Sequence, residues 1–361
     1  MDTDQPLPPM RLRELRVPRT GPHERGLAIG TAFGPEIAAS AARYAQVYSR
    51  FGADAATVAE VVDGSLQAVQ DWAPELFAEL AGVAEGAEVD LPTVMSLNAR
   101  TEVLARTALA ARECSTVVAL SPDGPPRTLQ TWDWYPELAP IGALLELPLP
   151  DRVVRTFSEV GMLGKIGTNG RLGLHFNILR HHSDGGSGVP VHLVARAILD
   201  RADTVEEAIA IAGSAPLAAS TVLTVAQAAP GRAVSIELSP AGIGVVEAAA
   251  GYLAHTNHFL DPTLATGEAA GVDSTTWQRL DHVLGRREAV LAARGPVELS
   301  AAACGTAGGA AAICVHCDPG ADFDRRVATL LTVSLDLTSG AIHHHTGTPA
   351  ELTQTSVAEF V

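Results

Sequence analysis

Two periodicities divide the chain. Residues 36–51 (EIAASAARYAQVYSRF), 54–86 and 90–104 (DLPTVMSLNARTEVL) place apolar side chains three and four positions apart, the spacing of one helical face. Asp90 is a plausible N-cap with Pro92 in the first turn, and only the short stretch 11–17 (RLRELRV) ahead of these helices reads as a strand. From Cys114 the pattern changes. CSTVVAL, RTLQTWDW, VVRTFSEV and MLGKIGTNGRLGLHFNIL are rich in β-branched and aromatic residues, and Asn169-Gly170 between two such runs predicts a hairpin.

Helices return at 189–202 and at 204–213, where Thr204 and Glu207 form a capping-box pattern and Gly213 marks the stop. Strands are expected at 220–228, 233–248 and 252–259, a helix over 274–293, and closing strands at 310–317, 327–337 and 340–346. Strands that follow one another directly favour antiparallel sheets, and helices gathered in blocks favour α layers packed on stacked β layers. With no internal repeat and no low-complexity linker, the pattern predicts one interlocked α+β domain.

Composition narrows the function. The 361 residues are 47% hydrophobic and 18% charged, enough to build a core, and the net charge of −16 argues against a nucleic-acid partner. The stretch MDTDQPLPPM lacks the basic and apolar regions of a secretory signal, and the most apolar zone, 208–229, is broken by Gly213 and Pro216. A cytoplasmic chain with no membrane partner is expected. Four cysteines, Cys114, Cys304, Cys314 and Cys317, are too few for a disulfide scaffold of this size.

Chemistry gathers around Cys114. A thiol heading a strand, Asp133 in TWDW on the next strand and Asn257 in HTNHF supply a nucleophile, a group to hold an ammonium and an oxyanion donor. Each alone has a structural explanation, the thiol as a small buried hydrophobe above all.

Cys304, Cys314, His316 and Cys317 offer ligands of the kind zinc accepts, yet adjacent strand residues point to opposite faces, and no metal is expected. His343, His344 and His345 are expected to be strand-edge residues. GLAIG lacks the GxGxxG spacing of a nucleotide loop.

The ordered set HERGLAIGTAFGPEI, LNARTEVL, ECSTVVAL, TWDW, GRLGLHFNIL, VPVHLVARAIL, HTNHF and DPGADFDRRVATLLTV resembles the acyl-coenzyme A:6-aminopenicillanic acid acyltransferase family of N-terminal nucleophile (Ntn) hydrolases. The resemblance implies a four-layer αββα sandwich with mostly antiparallel sheets. It also implies a precursor that cuts itself between Glu113 and Cys114, leaving residues 1–113 as a small subunit paired with the catalytic subunit 114–361. Cys114 becomes the nucleophile, Asp133 orients its freed amine, and Asn257 and Asn177 serve the oxyanion. Trp134 and Arg279 are expected to contact substrate, although Arg279 could equally be a solvated helix-face residue.

Glu113 departs from the Gly found there in fungal members. No cofactor is implied; a coenzyme A thioester would be the acyl-donor substrate, and water or an amine the acceptor. The competing expectation is an uncut, non-catalytic module that binds acyl ligands on the same fold.

Overall fold

The computed structural model describes residues 9–109, 114–122, 124–271 and 274–361. Glu113 and most of the acidic amino-terminal stretch lie outside the described residues.

An edge strand β1 (Arg11–Arg16) precedes helices α1 (Pro22–Arg50), α2 (Ala55–Trp72), α3 (Pro74–Gly86), α4 (Leu91–Asn98) and α5 (Arg100–Ala105). Strands β2 (Cys114–Ser121), β3 (Gly124–Trp134), β4 (Ile141–Pro148), β5 (Val153–Glu159), β6 (Ile166–Thr168) and β7 (Leu172–Ile178) follow, then helices α6 (Val191–Arg201) and α7 (Val205–Ser214). The chain continues through β8 (Thr221–Gln227), β9 (Arg232–Ser239), β10 (Gly242–Glu247) and β11 (Tyr252–His255) to α8 (Thr276–Leu284), α9 (Arg287–Ala292) and α10 (Pro296–Cys304). Strands β12 (Ala328–Asp336), β13 (Ala341–His345) and β14 (Ala358–Phe360) close it.

Eight strands form one sheet in the order β1-β4-β5-β6-β7-β8-β9-β10, and six form a second in the order β11-β2-β3-β12-β13-β14. Every pairing is antiparallel except that of β1 with β4, which is parallel. The two sheets face each other: Val118, Trp132, Leu331 and Val333 of the six-stranded sheet join Phe157, Leu174 and Leu223 of the other in one core. The opposite face of the six-stranded sheet, through Val117, Ala119 and Leu129, packs on α8 to α10. Helices α6 and α7 lie against the eight-stranded sheet. The result is an αββα arrangement, as the pattern predicts.

Local chemistry explains the helix starts. Asp54, Asp90 and Thr204 each accept a hydrogen bond from the backbone N–H three residues on, satisfying one of the exposed donors of a helix start. Helices α1 and α3 touch backbone to backbone: a Cβ at Gly26 would sit 1.9 Å from the Glu79 carbonyl oxygen, and one at Gly82 would sit 2.0 Å from that of His23. The glycines of GLAIG therefore serve helix packing.

Three expectations change. Residues 310–317 are not a strand; α10 runs through the alanines before them and ends at Gly305, whose φ of +63° stops the helix. The single helix expected over 274–293 is two, α8 and α9, parted at Gly285-Arg286. At the Asn169-Gly170 turn only Gly170 takes a positive φ, +80°, while the Asn169 side chain accepts from the N–H groups of Arg171 and Leu172.

Candidate active site

Cys114 is the first residue of β2, opposite Trp132 of β3, and is 4% exposed. Directly paired strand residues share a face, so its thiol projects with Trp132 and Trp134 toward the space between the sheets. The backbone of Cys114 is held from three directions. Its N–H donates to Asn257 Oδ1 at 2.7 Å. Its carbonyl oxygen accepts from an Arg279 terminal nitrogen at 2.6 Å and from Asn177 Nδ2 at 3.2 Å.

Asn257 lies just past β11, in a loop anchored across the sandwich by buried His255, whose Nε2 is 2.7 Å from Glu237 of β9. Its N–H donates to Thr276 Oγ1 at the start of α8, its Nδ2 donates to the Ile178 carbonyl at 2.8 Å, and its Oδ1 also accepts from Arg279 at 2.9 Å. Asn257 thus turns its carbonyl, not its amide nitrogen, toward Cys114. Asn177 on β7 accepts from Thr116 at 2.7 Å and aims Nδ2 at the carbonyls of Cys114, His255 and Thr256 at 3.2 to 3.3 Å. Both asparagines are engaged with backbone.

Arg279, one turn into α8, is fully buried. Its guanidinium also donates to Ser115 Oγ at 2.9 Å, so it joins the Cys114 and Asn257 network, and the solvated helix-face reading is excluded by its position. These contacts give Arg279 a place behind the cysteine rather than on a substrate surface.

Asp133, also fully buried, accepts from Thr329 Oγ1 at 2.7 Å, and its backbone N–H reaches the Cys114 sulfur. Burial, with the Asp133 charge second, pushes the thiol up to about 11, while Lys165 and Arg279 pull the other way. The role expected of Asp133 concerns the amine freed by a cut; the Cys114 backbone N–H donates to Asn257.

Trp134 lines a cleft with Leu104, Leu109, Ile178 and Arg180. The cleft encloses about 20 Å³, room for a water-sized group. The Trp134 Nε1 donates to Tyr44 at 2.9 Å, and the Arg100 guanidinium stacks 3.9 Å from its ring.

Sequence reading missed Thr116, Gln130 and Thr276, whose neutral side chains position the asparagines, and the charged group Arg100, Glu159 and Lys165. Lys165 alone carried a signal, as a lone cation inside the apolar run MLGKIG. Among the Cys and His residues of 304–317, Cys304 and Cys314 lie 3.7 Å apart through sulfur, while His316 Nε2 donates to the Gly309 carbonyl. Among the described residues no three His, Cys, Asp or Glu side chains converge on a metal position.

A family model described as acyl-coenzyme A:6-aminopenicillanic acid acyl-transferase matches residues 128–351, a span that includes Asp133, Asn177, Asn257 and Arg279 and begins after Cys114. The 40 kDa form of acyl-coenzyme A:6-aminopenicillanic-acid-acyltransferase from Emericella nidulans is 30% identical over 194 residues, 53% of each chain. The match spans about half the length of that relative. Two variants of conjugated bile acid hydrolase from Clostridium perfringens superpose with a TM-score of 0.50 and 14% identity over 68% of this chain and 92% of theirs, a likeness of fold.

Proposed function

The chain belongs to the acyl-coenzyme A:6-aminopenicillanic acid acyl-transferase family of Ntn hydrolases, and on that premise we propose that it is a self-cutting cysteine enzyme that moves an acyl group through a thioester at Cys114. The observation that carries this reading is the three-sided grip of Asn257, Asn177 and Arg279 on the backbone of a cysteine at a strand's first position.

In the precursor, the Cys114 sulfur attacks the Glu113 carbonyl carbon. A C–S bond forms as the Glu113–Cys114 C–N bond breaks, and the nitrogen takes the proton. Water then hydrolyses the thioester, leaving a Glu113 carboxylate, a free thiol and a free α-amine on Cys114. A model α-amine has a pKa of about 7.7 to 8.0, near the roughly 8.5 of a free thiol, so it can serve as base for its own side chain.

Asn257 Oδ1, already on that nitrogen, keeps the amine in place, and Asp133 adds a negative charge that favours its protonated form. In turnover the sulfur attacks the donor carbonyl and the leaving group departs with a proton. Water or an amine then releases the acyl group. Asn177 and Asn257 would serve the oxyanion once their amide nitrogens exchange a backbone carbonyl for it.

The donor class is an amide or an acyl thioester. The two fragments would stay together as a heterodimer.

Intact mass and amino-terminal sequencing of purified protein, followed by acyl transfer from a panel of amides and thioesters with and without amine acceptors, test the reading. A larger piece beginning at Cys114 in an active preparation is expected. Full activity in a single uncut chain would overturn it, and an uncut chain that binds acyl ligands without turning them over would establish the module reading instead.

A further inference from the structure

Asn257, Asn177 and Arg279 act on the backbone of Cys114, whereas its sulfur faces a different set of groups. Opposite Cys114, the Trp132 indole lies 3.8 Å under the ammonium of Lys165, a side chain only 1% exposed. Lys165 Nζ sits 2.9 Å from Glu159 Oε1, and Arg100 reaches the same oxygen at 2.8 Å. Tyr44 donates to the other oxygen of Glu159 at 2.6 Å. One carboxylate therefore answers two buried cationic side chains, and the trio carries a net positive charge whenever Lys165 is protonated.

The surrounding groups do not cancel it. Tyr44 and Tyr48 of α1 are held neutral by burial, as is His192 of α6, whose imidazole burial drives far below its ordinary value. Glu102 of α5, raised by burial to about 7, is turned to the Val191 N–H. The Asp133 side chain belongs to the opposite face of β3, since successive strand residues alternate, yet its charge still opposes the thiolate and Lys165 acts against it. A buried cation without a full counter-charge is costly, and an anion forming beside it is correspondingly favoured.

We propose that Lys165 is a positioning residue for the nucleophile: held by Glu159 and the Trp132 ring on the thiol's side of the sheet, its ammonium stabilises the Cys114 thiolate. The same charge would favour the sulfur as leaving group when water or an amine releases the acyl chain; Lys165 gives up no proton in either step. The electrostatic interaction runs in both directions. Burial lowers Lys165 to about 7 while Glu159 and Cys114 draw it up, and Lys165 in turn draws the thiol down. This inference rests on Cys114 being the nucleophile.

The test is the rate at which iodoacetamide alkylates Cys114 between pH 6 and pH 12, read by mass on the Cys114 peptide so that the other three cysteines do not contribute. Lys165→Met should slow alkylation at neutral pH by about tenfold and move the midpoint up by about one unit, while Lys165→Arg keeps the wild-type profile. Glu159→Gln removes the carboxylate that draws Lys165 up, so it too should slow alkylation at neutral pH, whereas loss of folding would expose the buried thiol and speed it. Unchanged profiles in Lys165→Met and Glu159→Gln, in a protein whose wild type is inactivated by alkylation, would overturn the role of Lys165 alone. Wild-type protein that keeps acyl transfer after Cys114 is alkylated would overturn the nucleophile, and this inference with it.

Discussion

The backbone nitrogen of Cys114 stands 2.7 Å from the side-chain oxygen of Asn257, which follows 143 positions later and is itself fixed by Thr276, Ile178 and Arg279. A freed amine at that nitrogen would inherit the contact. Asn257→Ala should therefore lower the acylation rate by on the order of 10²–10³ while the protein still melts cooperatively. Stopped-flow acylation beside a thermal melt decides it, and unchanged acylation would remove Asn257 from the site.

Cys114→Ala removes only a sulfur from a buried position, so the fold should persist at a cost of about 1 kcal/mol. The variant should run as one intact chain by mass and transfer no acyl group. A cut still falling before residue 114 in this variant would contradict the self-cleavage chemistry.

Arg279 bridges the Cys114 carbonyl, Ser115 Oγ and Asn257 Oδ1 with one planar fork. A lysine presents a single point charge and cannot span the three acceptors. Arg279→Lys should lose about 2 to 3 kcal/mol of stability in urea titration, the scale of a hydrogen bond to a charged group, and should slow turnover as well.

Glu79 on α3 accepts from Arg25 of α1 at 2.5 Å and from Arg196 of α6 at 3.0 Å, with all three side chains buried. Burial opposes its ionisation, but Arg196 and Arg25 outweigh that and hold the carboxyl below its ordinary value. Its stabilising contribution is therefore complete above the unfolded pKa of about 4.3 and is lost as pH falls through the lower folded value. Glu79→Gln should cost about 3 to 5 kcal/mol at pH 7, and the gap from wild type should narrow below pH 4. Urea melts at pH 7 and pH 3.5 measure both.

The layered fold was legible because its elements repeat a period: helical spacing in α1 to α4, β-branched runs from Cys114, and the Thr204 cap all appear in the structure where the residues predict them. The stretch 310–317 misled because its apolar residues match a strand, while the glycines at 305 and 308, with positive φ, turn the backbone away. At the site, the chemistry-bearing residues were named by type and order, and Cys114, Asp133, Asn177, Asn257 and Arg279 do converge. Their orientations were not legible. Which end of an asparagine amide faces the cysteine depends on Ile178 and Thr276, partners that neither spacing nor composition reveals. Arg100 on α5, Glu159 at the end of β5 and Lys165 in the loop before β6 are brought together only in the folded chain.

The parallel pairing of β1 with β4 has a consequence for the order of events. The strand is stitched to the margin of a sheet whose other members all follow Cys114, and Glu79 is clasped from both sides of the Glu113–Cys114 bond, by Arg25 before it and Arg196 after it. Under the proposed cut before Cys114, the tether through residue 113 would be needed while these parts find one another and dispensable afterwards. A severed preparation should tolerate salt and dilution without separating, yet fail to regain its shape once denaturant has pulled the two pieces apart.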